Sequence, residues 1–150
     1  MNIRFLASLV IAGFGASAAA AQDAHVWQVE DSFENVTFAV ENAIIGQGLV
    51  IDHVSHTGEM LERTKADVGA TRTIFTAADI YSFCSATVSR AVMEADPTNV
   101  QFCPYGIFVY ETPEAPGTVT VGFRDYPEGP MDQVEALLSD IVAEALMLED

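Results

Sequence analysis

Val100-Gln101-Phe102-Cys103-Pro104-Tyr105-Gly106-Ile107-Phe108-Val109-Tyr110-Glu111, then Thr112-Pro113-Glu114-Ala115-Pro116-Gly117, then Thr118-Val119-Thr120-Val121-Gly122-Phe123-Arg124, is the stretch that decides the fold. Its two outer runs, Val100–Glu111 and Thr118–Arg124, are rich in β-branched and aromatic residues and read as strands. The six residues between them have the turn chemistry of a hairpin connection. Helical patterns flank the hairpin on both sides. A hairpin set between helices favours an α+β fold with a mainly antiparallel sheet. Helices then cover one sheet face, and the other is left to solvent or to a second subunit.

Downstream, Asp132 and Glu135 have capping-box spacing. After them Val134, Leu137, Leu138, Ile141, Val142 and Ala145 form the strongest helical stripe in the chain. Upstream, Ser85–Ala95 carries Val88, Ala91 and Val92 on one face and reads as a helix. Asp96-Pro97 ends it, because the residue before proline avoids helical angles. Ile74–Phe83 is ambiguous, either a strand throughout or a turn leading into a strand at 80–83. Ser55–Gly69 is polar, with a short helix predicted at Glu59–Lys65. Leu49–Val54 reads as a strand. Before it, Phe33, Val36, Val40, Ala43 and Ile44 mark an amphipathic helix, with Asp31 and Glu34 at capping-box spacing and Gly46 and Gly48 as its stop. Val26–Glu30 alternates and reads as a first strand with Trp27 and Val29 facing the core. No internal repeat or linker divides the chain.

Residues 1–21 read as a cleaved leader. Arg4 precedes an apolar run from Phe5 to Phe14, and an alanine-rich stretch ends at Ala21. The apolar run is shorter than the ~20 residues a spanning helix needs, so no stable membrane anchor is expected. This pattern predicts export to the periplasm and one domain at 22–150. The full chain holds six basic and 22 acidic residues, a net charge of −16. Losing Arg4 with the leader leaves five basic residues against 22 acidic ones, a net of −17. Such a surface repels phosphate backbones and anionic lipid, which argues against nucleic acid as a partner. The acids are scattered, as in a surface made for solubility, rather than blocked into one binding face.

Cys84 and Cys103 are the only cysteines. An even count in an oxidising compartment favours a disulfide. Cys84 lies where a strand passes into a helix and Cys103 near the start of the next strand, so the chain can return one to the other. The loop closed is about 20 residues, worth on the order of 3 kcal/mol in the chain-entropy model. The competing reading is a reactive thiol or redox pair. Cys103-Pro104-Tyr105 resembles the Cys-Pro-Tyr-Cys turn of glutaredoxins, but Gly106 stands where the second cysteine belongs and a strand follows where that motif opens a helix. Cys84, just ahead of a helix, has the better position for a lowered pKa. Neither cysteine has the spacing of a haem or zinc motif.

Asp52, His53 and His56, with Glu59 nearby, form the other polar cluster and are a ligand or metal candidate. On a regular strand residues 53 and 56 point to opposite faces, so they share an ion only if the strand ends at Val54 or Ser55. The plainer reading is a hydrogen-bonded His53 at a strand edge and a solvated His56. Asp52-His53 also supplies two members of a hydrolase triad, but no serine lies in a nucleophile-elbow context. Arg124 can hold a carboxylate bidentately, or more simply pair with a neighbouring acid. Met93 and Met131 read as packing rather than copper ligands. The common nucleotide, zinc-protease and serine-hydrolase motifs are absent, so no cofactor and no catalytic residue are expected.

Several segments together resemble the domain of unknown function 302 family. They are Asp31-Ser32-Phe33 opening a helix that ends at Gly48, the Asp52-His53 pair, Phe83-Cys84-Ser85-Ala86 leading to Ala95-Asp96-Pro97, and Phe102-Cys103-Pro104-Tyr105-Gly106-Ile107-Phe108-Val109-Tyr110-Glu111. The best-matched part runs from Cys84 to Tyr126. Cys103 replaces the leucine of a family Leu-Pro pattern, a variant similar to that of exported members. The resemblance implies a TATA-binding-protein-like architecture, a curved antiparallel sheet with helices on one side. It implies no reaction, cofactor or substrate, and a shared architecture does not imply DNA binding.

Three functions compete on these grounds. One is a non-enzymatic domain that binds a small ligand or a protein partner through its sheet face or edge. Another is a thiol- or metal-dependent accessory protein handling redox equivalents, sulfur species or a transition metal. The last is a hydrolase built on Asp52-His53. An open sheet face also leaves room for a homo-oligomer.

Overall fold

The computed structural model describes residues 23–148, so the leader expected at residues 1–21 lies outside the described residues. The hairpin forms as read at its second arm and shorter at its first. The strands β4 (Tyr105–Glu111) and β5 (Thr118–Arg124) pair antiparallel, with Phe108 opposite Gly122 and Glu111 opposite Val119. The expected strand start at Val100 is corrected to Tyr105. Pro97–Phe102 is a 3₁₀ turn, because Asp96 caps it: its carboxylate accepts the Thr98 N–H and hydroxyl, both at 2.8 Å.

Around the hairpin the chain adds β1 (Ala24–Glu30), α1 (Phe33–Gly46), β2 (Val50–Ser55), α2 (Thr57–Thr64), β3 (Ala77–Cys84), α3 (Ala86–Ala95) and α4 (Asp132–Leu146). The five strands make one antiparallel sheet in the order β1-β5-β4-β3-β2. This is the expected α+β class. The chain enters at one edge, crosses the sheet through α1, and builds back inward from the other edge, so β1 and β2 are both edges.

Period-two alternation sorts the strand side chains onto two faces. Tyr81 and Phe83, Tyr105, Ile107 and Val109, and Val119, Val121 and Phe123 face the helices and are buried. Trp27 and Val29 pack against the same core from β1, as the alternation predicts. Onto this face α1 lays Val36, Val40, Ala43 and Ile44, and α4 lays Val134, Leu138, Ile141, Val142 and Ala145. From α3 only Val92 is fully buried; Val88 is half-buried and Ala91, expected on the same face, is exposed. Met131 is buried and Met93 half-buried in this packing.

The caps differ from both capping-box expectations. Ser32, not Asp31, caps α1, its hydroxyl accepting the Asn35 N–H at 3.2 Å. Asp31 instead accepts from the Ser32 N–H and the Asn35 amide. Before α4, Asp132 accepts the Gly129 N–H and Glu135 accepts the Tyr126 N–H, so the two carboxylates fasten the preceding loop instead of closing a box. Gly48, with φ +74°, makes the left-handed turn out of α1, while Gly46 remains helical.

The opposite sheet face carries Val26, Ile80, Phe108 and Tyr110. Phe108 lies flat across β5, since a Cβ on Gly122 would stand 2.6 Å from its ring and strike the His25 carbonyl. Phe75, Tyr110 and Phe108 continue as an aromatic row, with ring centroids 5.3 and 6.1 Å apart. No helix among the described residues is long and apolar enough to cross a membrane.

Candidate functional site: a groove between α1, α2 and β3

Polar α2 buries little apolar surface, and it docks through its backbone. A Cβ on Gly58 would lie 2.6 Å from the Ala78 backbone nitrogen, so only glycine lets α2 lie this close to the start of β3. Held there, α2 forms one wall of a groove of about 910 Å³, with α1 as the other wall and β3 as its floor. Phe33 and Phe75 supply apolar surface. Glu34, Glu59, Glu62 and Asp79 bring four carboxylates, against Arg63 and His56 as bases.

The best-defined polar contact is at the rim. His56 ends the β2–α2 connection, and its Nδ1 lies 2.8 Å from Asp79 Oδ1 on β3. Asp79 is largely buried and His56 exposed. The hydrogen bond to Asp79 first, and the charge of that carboxylate second, raise the His56 pKa above its ordinary 6.5. Glu62 is held on both sides, by the Lys65 ammonium and the Thr73 hydroxyl, which lower its pKa. Glu34 and Glu59 have no such partner among the described residues and remain free to meet a ligand.

The sequence candidates are not all brought together. β2 runs on to Ser55, and His53 pairs across to Ser82 after a register shift at Ile51/His53. Asp52 and His53 are exposed on that strand, and His56 turns to Asp79 instead. Asp52, His53 and His56 therefore do not converge as a ligand set. Arg124 is exposed at the end of β5, opposite Ala24, and makes no ion pair among the described residues. Cys84 and Cys103 do meet: their sulfurs stand at bonding distance and their Cα atoms 6.5 Å apart, within the range a disulfide needs.

Two features went unseen in the sequence. Asp79 lies 23 residues from His56, and only the β2–β3 pairing joins them. At the other edge, His25, Asp125 and Glu135 bring their ligand atoms within 4.8 Å of one another. His25 and Asp125 are 100 positions apart, a separation that no local motif spans.

An open five-stranded antiparallel sheet, with helices packed on one face and a carboxylate-lined groove at one end, defines an α+β domain. The family model described as "Domain of unknown function DUF302" matches residues 25–146, and the chain belongs to that family. A crystal structure of an uncharacterized conserved DUF302 protein from Bacillus stearothermophilus is similar in fold, with a TM-score of 0.60 at 16 % identity. The match covers 85 % of this chain and 98 % of that one. No curated protein matches the chain.

Proposed function

We propose that this protein is exported to the periplasm and works there as a non-enzymatic binding domain, with Cys84 and Cys103 joined as a structural disulfide. The leader pattern at residues 1–21 and the close approach of the two sulfurs support the compartment and the bond. The observation that carries the binding role is the groove between α1, α2 and β3. It pairs aromatic walls with carboxylates that outnumber its bases. That chemistry favours a small ligand with an apolar body and a cationic end, such as an organic amine. In this reading the His56–Asp79 pair at the rim acts by orienting and by charge.

Two measurements test this reading. Native mass spectrometry of the exported, untagged protein should show cleavage after Ala21, a mass lighter by two hydrogens, and no free thiol. In amide-resolved NMR, tyramine should shift Thr37, Glu59 and Asp79, whereas 4-hydroxyphenylacetate, with the same ring and the opposite charge, should not. Equal responses to both probes, or none in the groove, would overturn the ligand class; alkylatable thiols would overturn the disulfide.

A further inference from the structure

At the sheet edge away from α2, the start of β1, the residue after β5 and the first turn of α4 bring three metal-ligating side chains together. His25 Nε2 is 3.3 Å from Asp125 Oδ1 and 3.5 Å from Glu135 Oε1. These are poor hydrogen bonds. Charge-assisted N–H···O contacts run about 2.7–2.9 Å, as His56 and Asp79 show at 2.8 Å. A single ring N–H shared between two oxygens at these distances makes only a bent, weak three-centre bond. The two distances from His25 suit ligands of a common ion, and all three ligand atoms lie within 4.8 Å of one another. Atoms held about 2.0–2.1 Å from a tetrahedral zinc stand about 3.3–3.4 Å from each other.

The surroundings hold the set in place. Glu135 Oε1 accepts the Tyr126 N–H at 2.7 Å, the kind of outer contact that orients a metal-binding carboxylate. The Asp125 N–H is held by the carbonyl of Asp23, just ahead of β1, at 2.9 Å. The His25 ring stacks on Phe123, with centroids 4.9 Å apart, which sets its plane. Two carboxylates this close repel each other unless a cation lies between them. His25 is partly exposed, so solvent can supply a fourth ligand.

We propose that His25, Asp125 and Glu135 form a binding site for a divalent transition metal of the zinc type, separate from the groove beside α2. One imidazole with two carboxylates favours such an ion over calcium or magnesium, which prefer all-oxygen shells. Binding locks edge strand β1 to β5 and α4.

Zinc titration of the chelator-washed exported protein, read by calorimetry and native mass spectrometry, should give one tight equivalent that millimolar calcium does not displace. His25→Ala and Glu135→Gln should each weaken it at least about tenfold. His53→Ala and His56→Ala should leave it unchanged, which separates this site from the sequence candidates. Cobalt in place of zinc should give the intense visible bands of a four-coordinate ion, lost in His25→Ala. Far-UV circular dichroism of each variant confirms its fold, and Glu135→Gln keeps an oxygen for the Tyr126 N–H. Several weak equivalents that His25→Ala does not alter would mean cations scattered over an acidic surface and would overturn the proposal, as would no binding at all.

Discussion

Protonation of His56 strengthens its bond to Asp79, and the raised pKa makes folding stability depend on pH. A histidine whose folded pKa lies above its unfolded value contributes fully below that unfolded value, near 6.5, and loses the contribution as pH rises through the folded pKa. The wild type should therefore lose stability from about pH 6.5 upward relative to His56→Gln, in which that slope is absent. Denaturant midpoints for both proteins from pH 5.5 to 8.5 check this, and parallel curves would remove the pair as the source. Ligand binding should follow the opposite sign. An imidazolium at the groove rim repels an amine, so tyramine affinity should rise over the same window and lose that dependence in His56→Gln. Two opposite pH responses removed by one substitution place both effects at the same ring.

At the scale of elements, α2 is the piece held least by apolar burial and most by close approach. Its one fully buried position is Gly58, which sits against the Ala78 backbone. Gly58→Ala would ordinarily favour a helix, by about 1 kcal/mol. Here the added methyl must push α2 off β3, and the overpacking cost of about 1–3 kcal/mol offsets or exceeds that gain. Expected outcomes are a lower denaturant midpoint and faster amide exchange across α2 and the start of β3, with α4 unaffected; a stabilised protein would show that α2 can shift without cost. The helix was legible in the sequence only as a short segment at Glu59–Lys65, because its contacts are to backbone and leave no apolar stripe. By contrast α1, α4 and β5 could be read closely, since their buried faces repeat at the period of the element. The rest was hidden for two reasons. The 3₁₀ turn at Pro97–Phe102 and the caps of α1 and α4 depend on which side chain wins a backbone N–H, and composition does not rank Ser32 over Asp31. His56–Asp79 and His25–Asp125–Glu135 depend on strand register, which reveals itself only when the sheet is assembled.

For the whole molecule, two global terms act on the same fold. The bond proposed between Cys84 and Cys103 ties the end of β3 to the segment just before β4 across 19 positions, and it acts mainly by limiting the unfolded chain. The paired Cys84→Ala, Cys103→Ala variant should keep the fold and lose about 3 kcal/mol, seen as a Tm lower by on the order of 10 °C. An unchanged Tm would mean that the pair contributes nothing as a cross-link. The second term is charge. With five basic and 22 acidic residues at 22–150, the folded surface repels itself, and few acids are neutralised. Among the described residues, Lys65, Arg72 and Arg90 each pair with one glutamate, and the Arg72 and Arg90 pairs lie on exposed surface where such pairs are weak. Folding concentrates this charge, so screening it should stabilise the native state. The Debye length falls from about 30 Å at 0.01 M salt to about 3 Å at 1 M. The Tm should therefore rise with sodium chloride, most steeply at the low end where the screening length drops below the size of the domain. Sodium chloride and potassium chloride should act alike, since screening depends on ionic strength and not on the cation. Zinc should add a further rise at micromolar concentration that His25→Ala abolishes, because a bound ion stabilises by its affinity and not by screening. A salt response that differs between the two chlorides would point to specific cation binding at the acidic surface in place of screening.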